Sequence, residues 1–71
     1  MEMIPVSSSN HAAAGYDLDQ AVLRIEFKNG NIYEYYDVPQ YIFDEYIVSD
    51  SKGKYAHQNI YPPNFTQQRI Q

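Results

Sequence analysis

The stretch LRIEFKNGNIYEYY, residues 23–36, decides the fold of this chain. Apolar and charged side chains alternate from Leu23 to Lys28, which is the pattern of a β-strand with one buried face. Asn29 and Gly30 follow at once, and an extended pattern resumes over Ile32 to Val38. Because Asn-Gly between two such runs is a strong hairpin signal, the sequence predicts an antiparallel hairpin.

The register of this hairpin depends on its turn. A two-residue type I′ turn would pair Ile25 with Glu34 and place a carboxylate on the apolar face. A type I turn with a bulge at Gly30 shifts the pairing by one residue, so that Ile25 faces Tyr33 and Arg24 faces Glu34. The second register joins apolar to apolar and positive to negative side chains, and we therefore predict it.

The N-terminal segment predicts further strands beside the hairpin. Met1 to Ser9 is expected to form a short strand at the sheet edge, because Pro5 cannot donate a ladder hydrogen bond. Ser7 to Asn10 is rich in turn-forming side chains. Ala12 to Tyr16 is expected to re-enter the sheet, with Gly15 permitting a close backbone approach or a bulge.

The segment after the hairpin predicts helices. Pro39 is expected to open the main helix, whose apolar stripe would lie on the sheet. This stripe comprises Ile42, Phe43, Tyr46 and Ile47. Gly53 is a candidate left-handed cap of that helix, Lys54 to Ile60 a short second helix or turn, and Pro62-Pro63 the start of an extended tail. The prediction is an α+β fold in which a small antiparallel sheet of three to four strands packs against one main helix and a short C-terminal helix or turn.

Length and charge limit the functions open to the chain. Its 71 residues form one domain, residues 1–71, with a net charge of −4 and no cysteine. An acidic surface opposes binding to long DNA or to an anionic membrane, and the lack of cysteine excludes disulfides. With no basic N-terminal segment and no long apolar run, we expect neither a signal peptide nor a transmembrane helix, and we expect a cytoplasmic protein.

Four segments together resemble one known family. They are Val6 to Asn10 with Gly15 to Asp17, Leu23 to Gly30, Tyr33 to Tyr36 leading into Val38-Pro39, and Ser51 to Tyr55 continuing to Ile60. In order and spacing they resemble the KTSC family, small domains at the C-terminus of some lysyl-tRNA synthetases and stand-alone proteins of bacteria and phages. The resemblance implies no established activity. It suggests RNA binding by analogy only, and the Tyr61-Pro62-Pro63 sequence, where relatives often carry a basic residue, argues against that suggestion here.

Eight tyrosines and one basic cluster are the candidate recognition groups. In the predicted register Tyr33 and Tyr35 point inward and build the core with Tyr46, whereas Tyr36 points outward. Tyrosine suits base stacking and protein interfaces because a rigid apolar ring carries a polar tip. The basic cluster, Lys52 to Tyr55, could hold an anion on backbone N–H groups or could be an ordinary solvated turn. The candidate binding residues are Tyr36, Lys52, Gly53, Lys54, Tyr55, His57, Asn59 and Tyr61.

The sequence carries no constellation that indicates catalysis. The Ser7-Ser8-Ser9 run lacks a glycine-flanked elbow and a nearby base, so a turn is expected instead. His11 and His57 are the only histidines and are expected at the surface or in hydrogen bonds, with no metal site and no cofactor. We therefore predict a non-catalytic binding module.

Its partner is expected to be a protein or a second copy of the chain. The alternative is a small nucleotide or RNA, which includes a phage protein that sequesters a host nucleotide signal. A mononucleotide carries few charges, so the acidic balance of the chain does not oppose it.

Overall fold

The computed structural model describes all residues from 1 to 71. Five strands and two helices follow one another as β1 (Ile4–Pro5), β2 (His11–Asp17), β3 (Val22–Phe27), β4 (Ile32–Tyr35), α1 (Gln40–Val48), α2 (Lys52–Asn59) and β5 (Gln67–Arg69). The strands form one antiparallel sheet in chain order, β1 to β5. The predicted α+β fold is confirmed, with one strand more than expected. Neither helix has the length and apolar character needed to cross a bilayer.

The central hairpin has the predicted register. Ile25 pairs with Tyr33 and Arg24 pairs with Glu34 across β3 and β4. The N–H of Gly30 donates to the carbonyl of Phe27 at 3.0 Å, and Gly30 has a φ of +94°. This is a type I turn followed by a residue in the glycine-favoured left-handed region, as the bulged alternative requires.

The core lies between one face of the sheet and the two helices. Its nine buried residues come from β2, β3, β4, the two helices and the segments that follow β4 and α2, and they are Ala14, Leu23, Ile25, Tyr35, Val38, Ile42, Tyr46, Ala56 and Ile60. The predicted stripe of α1 is confirmed, since Ile42 and Tyr46 are buried and Phe43 and Ile47 pack against them. Burial of these side chains is the main force that holds the helices on the sheet.

Gly15 allows the N-terminal segment to pass close to the sheet. A Cβ built at Gly15 would lie 2.6 Å from the backbone oxygen of Glu2 and 2.9 Å from the Sδ atom of Met3. The predicted close approach at this glycine is confirmed. The predicted edge position of β1, which contains Pro5, is confirmed as well.

A bulge sits at the start of β2, between His11 and Ala13, rather than at Gly15. The extra residue shifts the alternation of the strand, so that His11 and Ala14 both face the core although they are three positions apart. Ser8 supports this corner, because its Oγ accepts from the backbone N–H groups of Asn10 and His11 at 3.2 Å each.

Two expectations for the C-terminal third are wrong. Gly53 is not a left-handed cap, because it lies in the first turn of α2 and has no positive φ. The segment from Lys52 to Tyr55 is consequently helical rather than a turn. The tail is not extended at Pro62-Pro63, where residues 60–64 form a turn. It becomes extended only in β5, whose Gln67 pairs with Tyr35 at the sheet edge.

Candidate functional site

An aromatic cleft of about 680 Å³ is the largest concave feature of the molecule. It lies between the β3–β4 hairpin, the corner before β2 and the turn after α2. Aromatic rings form its apolar part, and amide, hydroxyl and ammonium groups form its polar part. The aromatic cleft is lined by Ser9, Asn10, Phe27, Lys28, Asn29, Asn31, Tyr33, Tyr35, Tyr61, Pro62 and Gln67. Rings beside hydrogen-bonding groups suit a ligand that is flat and polar at its edge.

Tyr35 lies at the floor of the aromatic cleft. Only 1% of this residue is exposed, and its ring stacks on that of Tyr61 with 5.9 Å between ring centroids. No group of the protein forms a hydrogen bond with the Tyr35 hydroxyl, and every fully buried side-chain polar atom has a partner. The hydroxyl therefore reaches the cleft surface. Burial, followed by the neighbouring phenols of Tyr61, Tyr33 and Tyr46, raises the pKa of Tyr35 and keeps it neutral.

His11 is buried between two tyrosines. Its Nδ1 lies 2.7 Å from the hydroxyl of Tyr46, and its Nε2 lies 2.7 Å from the hydroxyl of Tyr61. Burial and, second, the positive charge of Lys52 lower the pKa of His11, so the ring is neutral and carries one N–H. The sequence expectation of a hydrogen-bonding histidine holds for His11, which is not at the surface.

The partners of His11 determine which ring nitrogen carries its proton. Tyr46 is fully buried, and its hydroxyl touches no other acceptor, so it must donate to Nδ1. The single N–H of His11 is then on Nε2 and donates to the oxygen of Tyr61. The O–H hydrogen of Tyr61 is left without an acceptor in the protein, and Tyr61 lines the aromatic cleft. Burial raises the pKa of Tyr61 to about 12, which keeps this donor protonated.

A second concave feature adjoins the aromatic cleft and is called here the basic cavity. It has a volume of about 220 Å³ and is lined by Ser7, Ser8, Ser9, Asn10, Asp50, Ser51, Lys52, Gly53 and Lys54. Ser9 and Asn10 line both features. Lys52 is partly engaged, since its Nζ donates to the carbonyl of Ser49 at 3.0 Å.

Four of the eight predicted site residues lie in these two features. Tyr61 lines the aromatic cleft, and Lys52, Gly53 and Lys54 line the basic cavity. The structure thus brings the predicted basic cluster beside an aromatic surface, although the predicted stacking ring, Tyr55, is not part of it.

The other four predicted residues lie elsewhere. The Tyr55 hydroxyl donates to Glu45 Oε1 at 2.6 Å on the outer side of the helices. Asn59 donates from Nδ2 to the carbonyl of Tyr55 at 3.1 Å. His57 is exposed, 6.2 Å from the Tyr61 ring centroid. Tyr36 is on the opposite face of the sheet, where its hydroxyl donates to Glu34 Oε1 at 3.1 Å.

Sequence reasoning missed most of the aromatic cleft. The sequence pattern indicates only a hairpin strand for Phe27 and Lys28 and only core positions for Tyr33 and Tyr35. His11 carried no signal because alternation along β2 does not reveal the bulge that turns it inward. No three His, Asp or Glu side chains lie close enough together to hold a metal ion.

Comparison with known proteins places the chain in a family. The sequence profile described as the KTSC domain matches residues 7–65. The chain belongs to the KTSC domain family. The matched part of this KTSC domain contains every residue that lines the aromatic cleft and the basic cavity except Gln67.

Three relatives match this chain over most of their length. A protein of Tsukamurella paurometabola is 40% identical over 63 residues, which cover 89% of this chain and 92% of the relative. A protein of Stutzerimonas stutzeri is 31% identical over 70 residues, which cover 99% of each. The crystal structure of a KTSC domain protein from Yersinia pestis has a TM-score of 0.87 at 31% identity and covers 99% of this chain and 97% of its own. The fold is therefore shared along the whole chain.

Proposed function

We propose that this KTSC domain is a non-catalytic binding module whose ligand is a small nucleotide. The observation that carries the proposal is the junction of the aromatic cleft with the basic cavity through Ser9 and Asn10. A nucleotide joins a flat polar ring to an anionic phosphate, so one part suits each feature. A cytoplasmic location is part of the proposal, because nucleotides of this kind are found there.

The distribution of charge supports an anionic ligand in spite of the net charge of −4. All three lysines of the chain, Lys28, Lys52 and Lys54, line the two features. Only one of the nine acidic residues, Asp50, lies among them. Local positive charge of this size suits one phosphate group or a few, whereas a long nucleic acid requires a wider basic surface.

Calorimetric titration with the four ribonucleoside monophosphates tests the proposal at low salt. We expect at least one to bind, and we expect Lys52→Ala or Lys54→Ala to weaken it about tenfold, as loss of a charge-assisted contact does. Arg69→Ala is the matched control, because Arg69 is exposed on β5 and lines neither feature. Absence of binding by every monophosphate at low salt would refute the proposal.

A short single-stranded RNA in the same titration separates the two kinds of ligand. RNA binding would give an affinity that rises with oligonucleotide length and falls steeply with salt. Mononucleotide binding gives an affinity that is independent of length. The second result agrees with a protein that sequesters a nucleotide signal, the role proposed above for a phage-encoded member.

A protein partner or self-association is the second candidate function. The outer face of α1 exposes 60% of Tyr41 and 77% of Val48, two apolar side chains seven positions apart on one side of the helix. Association there would also add burial to a thin core. Light scattering after size exclusion tests it: a dimer that Val48→Asp returns to a monomer supports this candidate, and a monomer at high concentration refutes self-association.

A further inference from the structure

One polar group in the aromatic cleft has no role in holding the fold. The Tyr35 side chain lies in the middle of the core cluster, with 1% of the residue exposed, yet its hydroxyl forms no hydrogen bond within the protein. Its ring is packed between β3 and the Tyr61 ring, where a phenylalanine ring would occupy the same space. The other hydroxyl of this depth, that of Tyr46, is held by His11 at 2.7 Å.

The Tyr35 hydroxyl contributes no hydrogen bond to the fold, because water in the cleft is the only partner open to it. Phenylalanine at this position would fill the same space without a polar group that needs hydration, so it would serve the fold at least as well as tyrosine. The hydroxyl does lie at a concave surface, at the floor of the aromatic cleft. A polar group that the fold does not use and that points into a cleft is best explained by a contact made there.

We infer that the Tyr35 hydroxyl is a specificity-determining group that hydrogen-bonds the polar edge of the ligand's ring. This inference rests on the proposed function and adds the way in which the ring is recognised. The ring enters edge first, and its polar edge meets the floor while the cleft wall formed by Phe27 and Tyr33 contacts one of its faces. These two rings lie 5.7 Å apart in an edge-to-face arrangement on the cleft wall.

Tyr61 determines which kind of hydrogen-bonding group the ligand must present. Its oxygen accepts the Nε2–H of His11, so its own hydrogen is available only for an acceptor. The floor therefore holds one fixed donor, from Tyr61, beside one hydroxyl that can donate or accept, from Tyr35. The complementary ligand is a planar ring that carries at least one acceptor on its edge, such as the carbonyl of guanine or uracil.

The test compares Tyr35→Phe with Tyr16→Phe in two measurements. Tyr16 is the matched control because its hydroxyl donates to the carbonyl of Val38 and lies in neither feature. Thermal unfolding without ligand is expected to give Tyr35→Phe a melting temperature equal to or above that of the native protein. Tyr16→Phe is expected to melt several degrees lower.

Titration with GMP, UMP and ribose 5-phosphate completes the test. For whichever nucleotide the native protein binds, Tyr35→Phe should weaken binding between about threefold and tenfold, the loss expected for one hydrogen bond. Tyr35→Phe should bind ribose 5-phosphate, which has no base, with an affinity within about twofold of that of the native protein. Tyr16→Phe should bind the nucleotide with an affinity within about twofold of the native value.

The outcomes separate this inference from the function on which it rests. Equal nucleotide affinity of Tyr35→Phe and the native protein overturns the inference while nucleotide binding stands. A Tyr35→Phe variant that melts several degrees lower than the native protein also overturns it, because the hydroxyl would then support the fold. If no nucleotide binds to the native protein, the proposed function fails and the inference fails with it.

Discussion

Acidification is expected to destabilise this domain through one residue, His11. The imidazole is fully buried, and its pKa in the folded state is lowered, first by burial and second by the charge of Lys52. In the unfolded chain the same group has its ordinary pKa of about 6.5. As the pH falls through that value, the unfolded state takes up a proton that the folded state does not, so unfolding becomes easier.

The size of the effect follows from this single proton. The contribution of His11 is fully present above the unfolded pKa and is lost as the pH falls from there towards the folded pKa. One proton of difference lowers the free energy of unfolding by at most about 1.4 kcal/mol for each pH unit. The unfolded state takes up this proton gradually, centred on its pKa of about 6.5, so the full slope is reached only at the acidic end of the range. Between about pH 7.5 and 5.5 the largest total loss in the free energy of unfolding is therefore about 1.4 kcal/mol, a sizeable share of the stability of a small domain.

Urea unfolding followed by far-ultraviolet circular dichroism at a series of pH values measures this loss. His11→Gln should flatten the profile in this range. His57→Gln is the matched control, because His57 is exposed, and it should keep the native profile. If His11→Gln does not fold, the pH titration of the His11 ring protons by NMR in the native protein gives the same answer. A native profile parallel to that of His11→Gln, or a native protein that gains stability on acidification, would refute the reasoning.

Four further variants test the local geometry through their stability. Gly15→Ala should destabilise the domain by about 1–3 kcal/mol, because its Cβ would overlap the N-terminal backbone. Gly53→Ala lies in α2, and its Cβ would make only an ordinary contact, 3.8 Å from Asn10 Nδ2, so this variant should instead stabilise the domain by about 0.4–1 kcal/mol; a stability change of the same sign for both variants would contradict this. Gly30→Ala should lower stability by about 1 kcal/mol through its positive φ, with open space around the new methyl group excluding a clash as the cause. Arg24→Ala should cost no more than about 1 kcal/mol, with a loss that shrinks in salt, since its ion pair with Glu34 is partly exposed; a large, salt-independent loss would count against that.

The hairpin and the main helix could be predicted because their signals are local. The pairing of Ile25 with Tyr33 follows from matching apolar and charged partners around one turn, and Gly30 adopts the conformation that this turn requires. The stripe of α1 follows from helical periodicity in the same way. These features depend on residues within a few positions of one another, so the local sequence is sufficient to predict them.

The C-terminal strand could not be predicted by this route. Gln67 to Arg69 contains no apolar residue and no alternation, and it becomes a strand only because the edge of β4 offers free hydrogen-bonding groups. The sequence predicts the basic cluster as a candidate site, but the helical form of the cluster and its position beside the aromatic cleft follow from the packing of α2.

The sequence by itself determined the class of the fold, the hairpin register, the inward direction of Tyr35 and the family resemblance. Only the tertiary structure decided where the candidate site lies. A one-residue bulge turns His11 into the core, and the return of the chain after α2 brings Tyr61 to it across 50 positions. The physical reason is one of range: alternation and turn chemistry act between neighbours, whereas a cleft is made by packing segments that are distant in the chain.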